Sequence, residues 1–425
     1  MNRSTADSQY VRKSRKFHDA WAFILYAISV TGFSTYSILN IDNSNIILTN
    51  LFNTQIFLCS SLIALVFLIL TFTCLRLIPE IFLKTTFALY PFLTLFIIAN
   101  ILKQNNYVPS AGLIGPVLSL ILWAYFAYNY WKWLASVAKI TNIAIKIIFN
   151  NLLTVLLGLL FVSSLIGFQL FLILNLDYET NKNLSSSHVL YFFYILNIFW
   201  TFSNAVYFFK VYITSVVAFN VLGDSGSHMM NIIKNTLYSL GSICFGGLLI
   251  AIISTVKFFI NNERERNQRD NERSNLFVDI MLCVASFICS ILESFIEFAN
   301  TLTFPYIAIH GESYSKSMRS AFDISANVSP VGLIGLNALN MGLSITTLFF
   351  GIICGYYVYY INGPILDLNM LRGSILSCVL PIIFYMLAMV SITSGFLGLV
   401  YITAENSDII DDKYKNDLEN ALLGK

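Results

Sequence analysis

Charge is scarce in this chain. Of its 425 residues only 11% are Asp, Glu, Lys or Arg, against about 25% in a soluble globular domain. The net charge of +2 is too small and too dispersed to suggest a nucleic-acid partner. Histidine is scarce as well, and the four present (His18, His188, His228 and His310) are scattered. There is no P-loop, no HExxH and no carboxylate set in metal-ligand spacing, so no metal or cofactor is expected and nothing supports an enzyme. The seven cysteines lie inside apolar runs without CxxC spacing. They read as small core residues, which argues against a disulfide framework or redox chemistry. A cleavable signal is also missing: the start, MNRSTADSQYVRKSRKFHDA, is polar and basic, so the first apolar run is expected to stay as a transmembrane helix. No internal repeat is visible, which leaves an inverted-repeat architecture unsupported.

What the chain has is apolar length. It is 57% hydrophobic, with 36 Phe and 23 Tyr. Ten runs are long enough to cross about 30 Å of hydrocarbon, which takes roughly 20 residues each: 21–39, 55–75, 82–102, 111–130, 152–174, 189–211, 238–260, 276–300, 331–357 and 374–402. The expected fold is all-α, a polytopic membrane protein with about ten transmembrane helices in one bundle and the lipid bilayer as its solvent. A basic segment 1–20 precedes the membrane domain 21–403, and an acidic, solvated tail 404–425 follows it. Runs two and three are separated only by Arg76, Pro79 and Glu80, which predicts a tight turn at Ile78 and Pro79.

Lys and Arg set the expected orientation, because positive connections resist translocation. With the N-terminus inside, 17 of the 25 fall on or near the cytoplasmic side, and both termini are cytoplasmic. The connection NNERERNQRDNERSN, with Arg264, Arg266, Arg269 and Arg273, is then outside and counts against this orientation. The loop between runs five and six is also outside, making Asn183 in Asn183-Leu184-Ser185 a glycosylation candidate. Between runs four and five, WKWLASVAKITNIAIKIIFNN has the pattern of a helix lying along the headgroups. A plain basic flank is the other reading.

The run 276–300 carries Asp279, Cys283, Ser286, Ser290, Glu293, Glu297 and Asn300 at alternating gaps of four and three, which is one helical face. Such a face must look at protein or water rather than at hydrocarbon. Asp279 and Asn300 fall near the two ends, which leaves Glu293 and Glu297 to explain. Intramembrane carboxylates are costly unless paired or hydrated, so these two mark an ion or substrate path, with the stripe forming a cavity wall opposite run six. In run six Asn197, Thr201 and Asn204 share a face with Trp200 and Tyr207. Interhelical hydrogen bonding explains the amides, and a site for a small organic cation explains the amides and rings together. Trp123 is a further candidate lining residue from run four; the other rings of that run belong to an interfacial belt. Gly241, Ser242, Gly246 and Gly247 permit close helix packing or sliding.

Three stretches resemble the choline transporter-like family, most nearly a minimal member of its fungal branch: KFHDAWAFILYAIS, NTLYSLGSICFGGLLIAII and FIEFANTLTFPYIAIHGESYSKSMRSAFD. In the last, Asn300, Tyr306, Ile307, Ala308, Ile309 and Gly311 keep the family's diagnostic pattern. YITSVVAFNVL lacks the tryptophan that relatives show at the end of run six. The resemblance implies a ten-helix plasma-membrane transporter of choline or a related amino alcohol with cytoplasmic termini. Trp200, Asn204 and Tyr207 would contact the substrate; Glu293 and Glu297 would supply negative charge or carry a coupled proton. A non-transporting, lipid-organising protein of the same fold is the alternative.

Overall fold

The computed structural model describes residues 15–39, 54–104, 111–174, 188–222, 228–269, 276–325, 330–362, 368–405, 414, 415 and 418. Asn183 and the end of the charged connection, 270–275, lie outside these residues. Apart from one 3-10 turn, every regular element among the described residues is an α-helix. Ten long ones correspond to the ten apolar runs: α1 (Ala20–Leu39), α2 (Thr54–Leu77), α3 (Pro79–Gln104), α4 (Ala111–Tyr130), α6 (Leu152–Leu174), α7 (His188–Val221), α9 (Leu240–Arg269), α10 (Leu276–His310), α12 (Pro330–Asn362) and α13 (Leu368–Glu405). Three short helices interleave: α5 (Leu134–Asn150), α8 (His228–Tyr238) and α11 (Tyr314–Ser325). Eight of the long helices are apolar and long enough to cross a membrane. The other two are α3, which opens with the ion-paired Glu80 and Lys84, and α4, which ends in Trp and Tyr. At 35 and 38 residues, α10 and α13 reach some 50 Å at about 1.5 Å per residue, so their ends stand clear of a 30 Å hydrocarbon layer.

The α2–α3 turn follows from one residue. Pro79 opens α3, where a missing N–H costs nothing, and Ile78 closes α2 by donating to Cys74 O at 2.8 Å. At the centre of the bundle α7 and α13 run together, and 391–402 of α13 is almost wholly buried. By contrast the first half of α10 lies on the periphery. Val284, Phe287, Ile288, Ile291 and Phe295 are exposed there, as side chains that face lipid should be.

Residues 131–150 differ from the surface helix expected of them. Trp131–Trp133 form the 3-10 turn, and α5 is buried on most of its circumference, with Ile140, Ala144, Ile145 and Ile147 fully enclosed. Lys139 and Lys146 occupy the single exposed edge. An apolar face with basic residues alongside fits headgroups and protein equally well; here the partners are protein, namely α2, α3, α12 and α13. A Cβ added at Gly395 of α13 would lie 3.4 Å from the side chains of Ala144 and Ile148 of α5, so the two helices approach closely there. With α8, α11, the α2–α3 turn and the start of α1, this helix closes one end of the bundle. Arg15, Lys16, Arg76, Lys84, Lys132, Lys139, Lys146, Lys234, Lys316 and Arg319 are all at that end. The opposite end carries the charged extension of α9, in which Arg266 pairs with Glu263. The tail is not wholly solvated, because Leu418 is buried in the main core and Tyr414 packs against it.

Replacing Ile145 by Ala should lower the unfolding free energy in detergent by about 2–5 kcal/mol, whereas Lys146→Ala should stay within about 0.5 kcal/mol of the parent. Equal melting temperatures for the two variants would put α5 back on the membrane surface.

Candidate functional site

The candidate residues of α7 project towards α1, α9 and α10. Asn197 donates to Ser29 Oγ of α1 at 2.8 Å and accepts from Gln169 Nε2 of α6 at 3.1 Å. A turn further on, the Trp200 indole donates to Cys244 O of α9 at 2.9 Å, and its ring meets Tyr26 of α1 edge-on at 5.3 Å. Asn204 Nδ2 is 3.6 Å from Cys244 Sγ, and Asn204 Oδ1 lies against Gly247 so closely that a Cβ there would sit 2.0 Å from it. Glycine at 247 is therefore a requirement of the α7–α9 approach. Thr201 Oγ and Asn204 Oδ1 are both buried without a well-formed hydrogen bond, and the polar group that faces both residues is the Tyr26 hydroxyl. Two acceptor oxygens and two aromatic rings thus converge where α1, α7 and α9 meet. Burial leaves Trp200, Asn204 and Tyr207 only 4–6% exposed, so the locus is closed in this state.

Tyr207 lies at the next level. It stacks on Phe304 of α10 at 4.4 Å, the Lys210 ammonium is 5.4 Å from its ring, and its hydroxyl is directed at Asn300. Asn300 is fully buried; its amide donates to Gly246 O at 3.2 Å and its carbonyl accepts from the Tyr314 hydroxyl at 2.6 Å. Burial pushes that hydroxyl up to about 12, so Tyr314 stays a donor at any physiological pH. Its backbone N–H donates to Asp19 Oδ2 at 2.8 Å, and Ser242 Oγ donates to the same oxygen at 2.7 Å. A continuous polar chain thus runs from the segment before α1, through α11 and α10, to the face of α7.

That segment is a strap. Asp19 takes a positive φ of 53°, and the His18 and Asp19 carbonyls cross Gly241 so closely that any side chain at 241 would collide with backbone. Arg15 reaches the other way and donates from one nitrogen to Ala308 O and Ile309 O, both at 2.9 Å. These are carbonyls of the last turn of α10, which lack intrahelical partners. Burial draws the Arg15 guanidinium down to about 10, still charged at neutral pH. Directly after, Gly311 adopts φ +65°, the left-handed geometry that ends a helix and favours glycine. Pro305 lies within α10, and Tyr306 stacks on His310, whose Nε2 is 2.8 Å from Glu405 of α13. Ile307 and Ala308 are buried against α7 and α9. The stretch from Asn300 to Gly311 is accordingly the knot where α9, α10, α11, α13 and the strap are tied together.

The polar stripe of α10 lines up on α9. Ser286 donates to Asn261 at 2.9 Å, Glu293 accepts from Ser254 at 2.7 Å and from Lys257 at 2.6 Å, and Asn300 meets Gly246. Glu293 thus sits about 10 Å along α10 from Asn300, in an α9–α10 ion pair. Glu297 is exposed on the α7 side of that pair, within electrostatic range of Lys210 as well as Lys257. Cys283 is exposed. Trp123 lies elsewhere: its indole donates to Phe87 O of α3 at 2.9 Å, and the ring packs with Phe87, Leu134 and Ala338. Trp200, Asn204 and Tyr207 share one α7 surface, Glu293 and Glu297 border it, and Trp123 belongs to a separate cluster. Tyr26, Arg15, Asp19, Tyr314, Lys210 and Lys257 complete the neighbourhood. Gly241 and Gly311 were the sequence signals that the strap must pass close by.

Comparison with known proteins identifies the family. A stretch of 28% identity over 126 residues matches protein PNS1 of Kluyveromyces lactis, covering 30% of this chain and 23% of that protein. A CTL-like protein of Dictyostelium discoideum is 29% identical over 130 residues, 31% of this chain and 21% of its own. Choline transporter-like 2 of Drosophila melanogaster is 26% identical over 190 residues, 43% of this chain and 22% of its own. The matched stretches thus span less than a quarter of these curated relatives. The family model described as plasma-membrane choline transporter matches residues 114–406, well over half of the chain, with the Asn300–Gly311 knot inside it, and the chain belongs to that family.

Proposed function

We propose that the protein is a secondary or facilitative transporter of a small organic cation, choline or ethanolamine, which it moves across the plasma membrane by alternating access. The substrate site lies between α7 and α10, with α1 and α9 completing it. One observation carries this reading: the buried oxygens of Thr201 and Asn204, poorly satisfied and faced by the Tyr26 hydroxyl, beside the rings of Tyr26 and Trp200. A quaternary ammonium offers no hydrogen to donate and is met by aromatic faces, while a hydroxyl or primary amine can satisfy an orphan acceptor. Tyr207 contacts the substrate from the Asn300 side. Membership of the plasma-membrane choline transporter family supports the choice of substrate class.

Of the two carboxylates, Glu293 is the held member, fixed by Lys257 and Ser254. Glu297 is the member that supplies negative charge to the path or carries a coupled proton. By the positive-inside rule, the end crowded with Lys and Arg faces the cytoplasm. The strap and the α10–α11 bend then form the inner gate, and opening it parts α7 from α9 along the Gly241–Gly247 surface, where small residues permit sliding. The tight contact of Asn204 with Gly247 also suits a second reading, a structural, lipid-organising protein whose path stays shut.

Labelled-choline uptake into proteoliposomes separates the two. Transport requires saturable flux, with KM raised about fivefold in Asn204→Leu or Thr201→Val, the equivalent of one hydrogen bond of roughly 1 kcal/mol; no saturable flux supports the structural reading. In the same vesicles Glu297→Gln should flatten the pH dependence of uptake. Uptake and pH profile both unchanged in Glu293→Gln and Glu297→Gln would end the proposed role of the carboxylates. Asp19→Asn should change the rate of inward release more than substrate affinity, so kcat should move and KM should not; a change confined to KM would remove the strap from the gate.

A further inference from the structure

Away from this site, between α3, α5 and α12, the outer face of the bundle holds a cavity of about 550 Å³. Drug-sized ligands occupy pockets of about 300–1,000 Å³, whereas a single water needs only about 10–15 Å³ by the same measure. Its walls are apolar and include the rings of Phe87, Tyr90 and Trp133, and no charged residue lines it. The polar atoms come mainly from Asn337, Asn340 and Ser344, spaced three and four apart on one face of a helix long and apolar enough to cross the membrane. All three are exposed, and none makes a hydrogen bond to protein among the described residues. Amides left without a partner between the headgroups and the hydrocarbon are costly, so a ligand that meets them is favoured in the cavity.

Three observations narrow the occupant. With no charge on the walls, a charged headgroup would lie there unneutralised, so the ligand is neutral. Leu89 and Phe92 of α3 and Leu348 and Phe349 of α12, all exposed, place the rim among hydrocarbon-facing side chains, so the ligand comes from the bilayer. The cavity is also polarised along its length. Asn337 lies near α5 and Trp133, whose ring carries the Lys132 ammonium at 5.4 Å, a headgroup-level pairing; Leu93, Ile345 and Leu348 lie deeper. A molecule with one hydroxyl at the headgroup level and a flat, rigid apolar body fits this gradient.

We propose that the α3–α5–α12 cavity binds a sterol, with its hydroxyl on the amides of Asn337 and Asn340 and its ring system against Phe87, Tyr90 and Trp133. The site has a mechanical consequence. A second cavity of about 460 Å³, between α12 and α13, meets the first at Asn340, Ser344 and Leu348, so this face of α12 is flanked by open space while Leu339 and Leu343 anchor the opposite face in the core. A bound sterol restrains α12 and so tunes its position against α3 and α13.

Photolabelling of the full chain in proteoliposomes with a diazirine-bearing sterol tests the proposal. Adducts should map to 87–94 and 335–348 and be competed by excess unlabelled sterol. They should fall about tenfold in the double variant Asn337→Leu and Asn340→Leu, and at least fivefold in the cavity-filling Ala338→Phe, with melting temperature confirming that both variants fold. Labelling spread evenly over the exposed face of α6 and insensitive to competition would overturn the site. So would modification of Asn340→Cys by a membrane-impermeant maleimide, which would mark a water-filled vestibule. Efficient crosslinking of Leu348→Cys between two copies would overturn it too, by assigning the face to an interface between chains.

Discussion

One carboxylate oxygen holds the closed end of the bundle together. Asp19 Oδ2 accepts from the Ser242 hydroxyl in the first turn of α9 and from the Tyr314 N–H at the start of α11. Helix N-termini expose unpaired N–H groups and the positive end of the peptide dipole, so a single anion serves two helices at once. Four residues earlier Arg15 performs the opposite task, placing a cation on the unpaired carbonyls at the C-terminus of α10. The strap therefore matches three helix ends by sign. Without it, α10 and α11 would meet at Gly311 with their end groups buried and unsatisfied.

From that junction the consequences pass inward through Asn300. Its two bonds join Tyr314 of the short helix α11 to Gly246 of the long helix α9, and Tyr207 of α7 points at it. The two halves of α10 thus differ in kind. The half before Asn300 lies outside, with Ser286 and Glu293 of its polar stripe bonded to α9 and exposed apolar side chains on its other faces. The half after it is enclosed by α7, α9 and α13. A helix of this kind can transmit movement of the strap to the face that carries Trp200, Thr201 and Asn204, because those residues and Asn300 share α9 as a partner.

Periodicity made the ten long helices and the polar face of α10 legible, since alternating gaps of three and four admit only one helical face. It said nothing about which neighbour that face meets. Glu293 was expected to look at α7, and it is Lys257 and Ser254 of α9 that receive it. The same limit applies to 131–150, where an apolar stripe edged with lysine is equally suited to headgroups and to a protein core; the choice rests on α2, α3, α12 and α13 being present. Aromatic content singled out Trp123 and Trp200 alike, yet one packs at α3 and the other at α9, because ring type carries no address. Tyr26, Arg15 and Asp19 were hidden for another reason: Arg15 and Asp19 reach partners nearly 300 residues away, a separation at which no local pattern operates. Gly311 was marked only as part of the family block; its left-handed turn shows in the backbone alone.

The account stands or falls on Asp19 tying α11 down. Amide hydrogen exchange of the full chain in nanodiscs reads that bond directly, because the Tyr314 N–H is the donated hydrogen. Peptides covering 311–317 should be protected in the parent protein and exchange at least tenfold faster in Asp19→Asn, with 15–20 and 240–246 loosening in step while α5 stays unchanged. Equal exchange of 311–317 in parent and variant would show that the strap does not hold the closed end, and the proposed inner gate would go with it.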